Sequence, residues 1–309
     1  MKRIFVNLKR FDVYCRLGGV CPVDDPVRWT IEIIDKTIEY ELGNREDLLL
    51  TYFFPEALIL SALTRIRDYP EEKTKLLSIG SQGVFRENIQ PGGNFGAFTT
   101  NLPAAAVRNF GCAWSIIGHS EERKDKMDLL GLIDSGDEAG QREKAGQIVN
   151  QVINQELSRA LESGINTLLC IGETADDRGR GGFEEQKTRV QEVLKKQLLT
   201  CLNGTEKYLS KRCVTIGYEP VWAIGPGKVP PGREYIAFVS GYIKKVLQEE
   251  FGYTFPVVYG GGLKEENAGM LSSIETIDGG LVALTKFTGD IGFEPGGLKK
   301  IIDQYTQDF

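Results

Sequence analysis

Eight short apolar runs recur along the chain: 2–8 (KRIFVNL), 48–54 (LLLTYFF), 75–81 (KLLSIGS), 112–118 (CAWSIIG), 166–172 (NTLLCIG), 213–219 (CVTIGYE), 256–261 (PVVYGG) and 280–285 (GLVALT). They are almost continuously apolar and rich in β-branched residues, not alternating. That pattern predicts strands buried on both faces of a parallel sheet. Between them lie stretches with helical periodicity. In 25–42, Trp29, Ile33, Ile34 and Ile38 fall near one face, and Pro26 stands close to the start. The stretch 142–164 shows the same pattern and stops at Gly164, and 182–200 and 233–252 repeat it. Strands alternating with helices, with no linker or low-complexity tract, predict a single α/β domain over 1–309, a closed (β/α)8 barrel. An open doubly wound sheet is the alternative. No GxGxxG follows the first run, which weighs against a dinucleotide-binding version of it.

Composition narrows the function without naming it. The chain has 309 residues, 41% hydrophobic and 26% charged, as in soluble globular proteins. A net charge of -6 leaves no basic footprint for nucleic acid or an anionic membrane. No apolar run approaches the roughly 20 residues that span a bilayer. The opening MKRIFVNLKRFD is broken by Asn7 and Lys9 and does not read as a signal peptide. Six cysteines without a CxxC pair point to neither a disulfide framework nor a zinc site, so a reducing cytoplasm is expected.

A barrel places its functional residues at the C-terminal ends of its strands. The only histidine, His119, follows the fourth run, in SIIGHSEER. Glu219 ends the sixth, Asn7 and Lys9 end the first, and the turn 259–263 (YGGGL) ends the seventh. A base, a residue that titrates near neutrality, a cation and a glycine turn thus converge on one rim. The turn can offer backbone N–H groups to an anion.

The segments GHSEER, CIGET, GYEPVWAIGPGK and YGGG resemble the signature segments of the triosephosphate isomerase family, in order along the chain. FVNLKRF resembles that family's first strand, and 96–106 (GAFTTNLPAAA) resembles its third loop. The resemblance implies a TIM barrel and an aldose–ketose isomerase of glycolysis and gluconeogenesis, working through an enediolate. It implies Glu219 as the base, His119 as a neutral donor to the developing oxyanions, and Lys9 as a fixed positive charge. Ser120 would cap a helix starting there. Asn7 would orient substrate, Glu121 would support Lys9, and the segment from Pro220 to Lys228 would be a lid. Ile224 and Leu281 match the residues that press on the base when the lid closes and would raise its basicity by desolvation. Gly225, Gly260, Gly261 and Gly262 would meet the substrate's phosphate end. Glu173 would pair with a cation near a loop base, and Cys170 would be structural. No metal or cofactor is implied, because base, donor and cation are all side chains. The loop around Thr99 implies a homodimer.

The departures from the family pattern are as specific as the matches. The family's serine in the seventh loop is Gly262 here, and its glycine pair after the eighth strand is Ala283 and Leu284. Lys286 would replace the lost amide donors by charge. Residues matching a family ion pair read Asn101 and Glu122, so that pair is expected to be gone. Extended catalytic-face loops are expected at about 9–26, 124–142 and 286–297. These changes leave the substrate open between the triose phosphate and a relative such as a four-carbon ketose phosphate. A catalytically idle barrel acting as a scaffold, or a binder of phosphosugars or nucleotides, are the competing readings.

Overall fold

Each apolar run forms a strand, and the eight strands close on one another in chain order. The computed structural model describes residues 1–132, 138–225, 227–287, 289 and 291–307. The strands are β1 (Lys2–Asn7), β2 (Leu48–Phe54), β3 (Leu77–Ser81), β4 (Trp114–Ile117), β5 (Asn166–Ile171), β6 (Val214–Tyr218), β7 (Val257–Tyr259) and β8 (Gly279–Val282). All pair in parallel, and β8 returns to β1 through Arg3↔Gly279 to Val6↔Val282. The open-sheet alternative is excluded.

The helices are α1 (Pro26–Glu39), α2 (Glu56–Arg67), α3 (Ala104–Phe110), α4 (Ser120–Gly131), α5 (Glu138–Glu162), α6 (Ala175–Arg178), α7 (Phe183–Leu202), α8 (Glu206–Leu209), α9 (Arg233–Phe251), α10 (Glu265–Ser272) and α11 (Pro295–Tyr305). α1 starts where the sequence predicts. Asp25 accepts from the N–H groups of Val27 and Arg28 at 3.0 and 3.1 Å, and Pro26 takes the first helical position. Its buried face carries Trp29, Ile33, Ile34 and Ile38.

Two layers of core follow from the strand alternation. Ile4, Val6, Tyr52, Phe54 and Ile216 face outward, where the helices cover them. Phe5, Phe53, Trp114, Ile116, Leu168, Cys170, Val258 and Leu281 fill the barrel interior. Phe5 stacks on Phe53 with ring centroids 5.7 Å apart and meets the edge of Trp114 at 5.2 Å. Asn7 shares the parity of Phe5, and Glu219 follows inward-facing Gly217 by two. The alternation that fills the interior therefore also aims these side chains at the barrel's mouth.

One expected loop is not a loop. Much of 124–142 is helical, in the C-terminal part of α4 and the start of α5, while 133–137 lie outside the described residues. The half-buried face of α4 carries charged Glu122, Arg123 and Lys126 beside Met127 and Leu130, so it makes no clear apolar stripe for periodicity to reveal. The segments expected as loops at 9–26 and 286–297 each contain an isolated bridge, Tyr14↔Cys21 and Lys286↔Gly292. Residues 288 and 290 of the latter, and Pro226 of the expected lid, lie outside the described residues.

Candidate active site

At the mouth of the barrel, β6 and the turn after β4 bring Glu219 and His119 together. The His119 Nε2 atom lies 3.3 Å from Glu219 Oε1. His119 Nδ1 accepts the Glu121 N–H at 3.3 Å. A nitrogen that accepts carries no proton, so this geometry assigns the neutral ring its hydrogen at Nε2, facing the carboxylate. The cap of α4 is therefore His119 itself, one position before the expected cap, and Ser120 is the first helical residue.

Ser120 has a different task. Its N–H donates to Glu219 Oε2 at 2.9 Å and its hydroxyl to Oε1 at 3.2 Å. Glu219 is 2% exposed, so these donors and the imidazole replace the water it has lost. Gly260 lies against the same side chain. Its N–H donates to the Tyr218 carbonyl at 2.6 Å, and a Cβ there would sit 2.7 Å from Glu219 Cγ. Gly260 therefore makes room for the carboxylate. Its N–H is not free to bind an anion, which corrects its expected role. Beneath Glu219, burial and then the carboxylate's charge push the Cys170 thiol well above its ordinary pKa, so it stays protonated.

Lys9 reaches the rim from the end of β1 with a φ of 39°. The left-handed region is costly for a residue with a Cβ and persists only where neighbours impose it. Here the Lys9 N–H donates to Asn7 Oδ1 at 3.0 Å, and its carbonyl accepts from Gln82 Nε2 at 2.7 Å. Gln82 also donates to Asn7 Oδ1 at 3.2 Å. The Lys9 ammonium pairs with Glu121 Oε1 at 2.7 Å. Burial pushes the Glu121 carboxyl up, but the hydrogen bond and charge of Lys9 outweigh it and hold the group below its ordinary value. The sequence reading passed over Gln82, although its place just past β3 obeys the same strand-end rule.

Glu173 does not pair with a cation. Its Oε1 accepts from the Tyr218 hydroxyl at 3.0 Å, the Trp222 indole at 2.7 Å and the Tyr235 hydroxyl at 2.8 Å. Burial pushes its carboxyl above the ordinary value in spite of these donors. A cation instead covers the rings: the Arg178 guanidinium lies 3.8 Å from the Trp222 ring centre. This knot anchors the start of the expected lid, where Val221–Ala223 form a 3-10 turn.

The remaining expected residues are placed less closely. Leu281 is buried in the barrel interior, and half-buried Ile224 and exposed Gly225 lie beyond the 3-10 turn. Gly262 has a φ of 97°, a backbone that suits glycine and would strain a serine. After β8, the N–H groups of both Thr285 and Lys286 donate to the Gly292 carbonyl at 3.1 Å. The Lys286 ammonium lies 3.3 Å from Glu294 Oε1. Lys286 is thus tied into its own hairpin, contrary to the expectation that it replaces lost donors.

The expected loss of the family ion pair has a counterpart in the structure. Asn101 donates to the neighbouring Thr100 hydroxyl, while Glu122 turns inward to Lys126. Among the described residues no group of acidic, histidine and cysteine side chains is arranged to hold a metal ion.

The sequence profile of the triosephosphate isomerase family matches residues 36–290. A triosephosphate isomerase of Nitratidesulfovibrio vulgaris is 30% identical over 240 residues, covering 77% of this chain and 80% of that protein. One of Chloroherpeton thalassium is 33% identical over 212 residues, covering 67% and 69%. The crystal structure of a triosephosphate isomerase from Bartonella henselae superposes over 98% of both chains with a TM-score of 0.64 at 20% identity, a likeness of fold.

Proposed function

The chain belongs to the triosephosphate isomerase family, and from that premise we propose that Glu219, His119 and Lys9 carry the proton transfer of an aldose–ketose isomerase. The enzyme is an intramolecular oxidoreductase of the triosephosphate isomerase type, and its substrate is a small phosphorylated sugar. Glu219 takes a proton from one carbon of the substrate and returns it to the next. The His119 Nε2–H donates to the oxygens on which enediolate charge develops, and the Lys9 ammonium offsets that charge. The observation that carries the reading is the 3.3 Å approach of His119 Nε2 to Glu219 Oε1, with Nδ1 already committed to the Glu121 N–H. In the present position Glu219 accepts from Ser120, so it must exchange those bonds for the substrate carbon.

Incubation of triose phosphates in heavy water tests the assignment. Solvent deuterium is expected to enter the carbon-bound position with the wild type and not with Glu219→Gln. Wild-type turnover by that variant would refute the base. Exchange with a four-carbon ketose phosphate and not with trioses would move the substrate while leaving the site in place. The scaffold reading is not favoured, since the three side chains keep a working arrangement.

The phosphate end of the substrate is assigned to the N–H groups of Gly261 and Gly262, with Gly225 arriving there when the lid closes and Ile224 pressing on Glu219 beside Leu281. We assign the chain to a homodimer through the loop around Thr99. Supporting this, Phe95 at the tip of that loop is 94% exposed. Light scattering at twice the chain mass is the expected result. Six free cysteines support a reducing cytoplasm, and no helix among the described residues is long and apolar enough to cross a membrane.

A further inference from the structure

Behind His119 lies a charged cluster that the reaction itself does not use. The Gly118 N–H donates to Glu122 Oε2 at 2.6 Å. The Gly118 carbonyl accepts from Arg123 Nε at 2.8 Å. Both polar groups of this residue, which directly precedes His119, are therefore gripped by consecutive side chains of α4. Arg123 is held in turn by the Cys170 carbonyl at 2.9 Å and by Asn150 Oδ1 at 2.7 Å. Glu122 is held by the Lys126 ammonium, which also lies 3.1 Å from Glu156 Oε1. Glu156 reaches across from α5 and is 5% exposed.

Two carboxylates share one ammonium here. Burial and the neighbouring Glu122 push the Glu156 carboxyl up to about 9, so it holds a proton at neutral pH. Glu122 stays ionised and below its ordinary value, because the Glu156 hydrogen bond, Lys126 and the Gly118 N–H outweigh its burial. A carboxylate accepting a backbone N–H makes a stronger and more directional bond than a neutral acceptor. The Gly118 N–H belongs to the peptide plane before Gly118 and its carbonyl to the plane leading into His119, so Glu122 and Arg123 hold both planes and with them the left-handed turn at Gly118 (φ 74°) that sets where the His119 ring can point.

We propose that Glu122, braced by Lys126 and Glu156, is a positioning residue that aims the His119 imidazole at the reacting atoms. It acts through the Gly118 N–H and touches no substrate. The inference rests on the proposed role of His119, and one measurement separates the two. The chain has a single histidine, so [15N]histidine labelling gives one imidazole and needs no assignment.

The experiment compares Glu122→Ala, Glu122→Gln and Lys126→Met with the wild type in steady-state kinetics, ring 15N spectra and circular dichroism. With Glu122→Ala, kcat is expected to fall about tenfold to a hundredfold with KM within about threefold, as for a small misplacement of a catalytic group. The two ring nitrogen signals are expected to move or broaden together with that loss. Glu122→Gln, which keeps an acceptor for the Gly118 N–H, is expected to recover part of kcat and return the signals toward the wild type. Should Glu122→Ala fail to fold, Lys126→Met, which frees Glu122 without removing it, carries the same expectation. A folded variant of either residue with unchanged ring signals overturns the proposal, whatever its activity. Shifted ring signals with unchanged kcat would uphold the positioning and refute the role of His119 instead.

Discussion

Replacing Gly260 by alanine adds one methyl group against the proposed base, and its effect can be sized from the geometry. The new Cβ would stand 2.7 Å from Glu219 Cγ and 2.9 Å from the Tyr218 carbonyl oxygen, where ordinary contact begins at 3.4 Å. Relief therefore needs a displacement of about 0.7 Å. Glu219 cannot yield cheaply, since its carboxylate is fixed by Ser120 and its Cγ lies in the middle of a buried side chain. The turn after β7 cannot move freely either, because the Gly260 N–H is bonded to the Tyr218 carbonyl. Misplacing a catalytic group by 1 Å costs about a hundredfold in rate, so kcat should fall between tenfold and a hundredfold. Overpacking of this kind also costs about 1–3 kcal/mol of stability. Alanine keeps the backbone N–H, so inhibition by inorganic phosphate should be unchanged. Steady-state kinetics, phosphate inhibition and urea unfolding of Gly260→Ala read all three. A folded variant with wild-type kcat would refute the claim that this glycine exists to admit the carboxylate. Weakened phosphate inhibition would mean that the turn bearing Gly261 and Gly262, and not Glu219, takes up the strain.

Three further outcomes are expected. Lys9→Met should change unfolding free energy by less than about 1 kcal/mol, because the Lys9–Glu121 pair is largely exposed. It should lower kcat by about a hundredfold or more, because the lost charge faces the transition state; comparable losses in both would make Lys9 a structural residue. The Glu156 carboxyl is raised in the folded protein, so its contribution to stability is full below its ordinary pKa of about 4.3. That contribution drains as pH rises toward about 9. Glu156→Gln should flatten that decline in Tm, and parallel wild-type and variant profiles between pH 6 and 9.5 would contradict the protonated state. Trp222→Phe keeps the ring beside Arg178 and Tyr235 but removes the donor to Glu173. It should cost about 1–3 kcal/mol, the worth of a bond to a charged group, by urea unfolding.

The barrel was legible because each strand is buried on both faces and so carries an uninterrupted apolar run. The site was legible for a related reason: in a closed barrel, strand ends share one rim, and polar residues placed just past an apolar run stand out. That rule locates Asn7, Lys9, His119 and Glu219, and it would have located Gln82 had it been applied to β3. What escaped the sequence depended on partners far along the chain. Nothing near Glu173 announces that its oxygen will collect Tyr218, Trp222 and Tyr235 from three later segments. α4 escaped for the opposite reason, since its inward face carries Glu122, Arg123 and Lys126 and so leaves little apolar periodicity to read. The inward turn of Glu122 was half visible, because Lys126 stands four residues on, the spacing of a helical ion pair. Its third member, Glu156, lies on the next helix and could come only from the fold.

Two of the departures from the family pattern, at Gly262 and beyond β8, lie on the neighbouring strands β7 and β8 and act together on the end proposed to hold the anion. Gly262 takes a left-handed backbone where the family carries serine. Beyond β8 the chain folds into a short hairpin whose Gly292 carbonyl consumes the N–H groups of Thr285 and Lys286, and Glu294 takes the lysine's charge. A longer loop there has satisfied its own donors, which leaves fewer of them for a phosphate. On the proposed assignment the anion then leans on Gly261 and Gly262, so recognition of the phosphate shifts from the eighth strand toward the seventh. The side chains proposed to move the proton come from β1, the turn after β4 and β6, and β1 and β6 flank the β7–β8 pair around the mouth. Those elements keep the hydrogen bonds that aim them: Asn7 to Lys9, Glu121 to His119, and Ser120 to Glu219. Because the two sets of donors share no side chain, the binding end can change while the chemical end stays fixed. This is the physical reason a chain about one third identical to its relatives can keep their reaction.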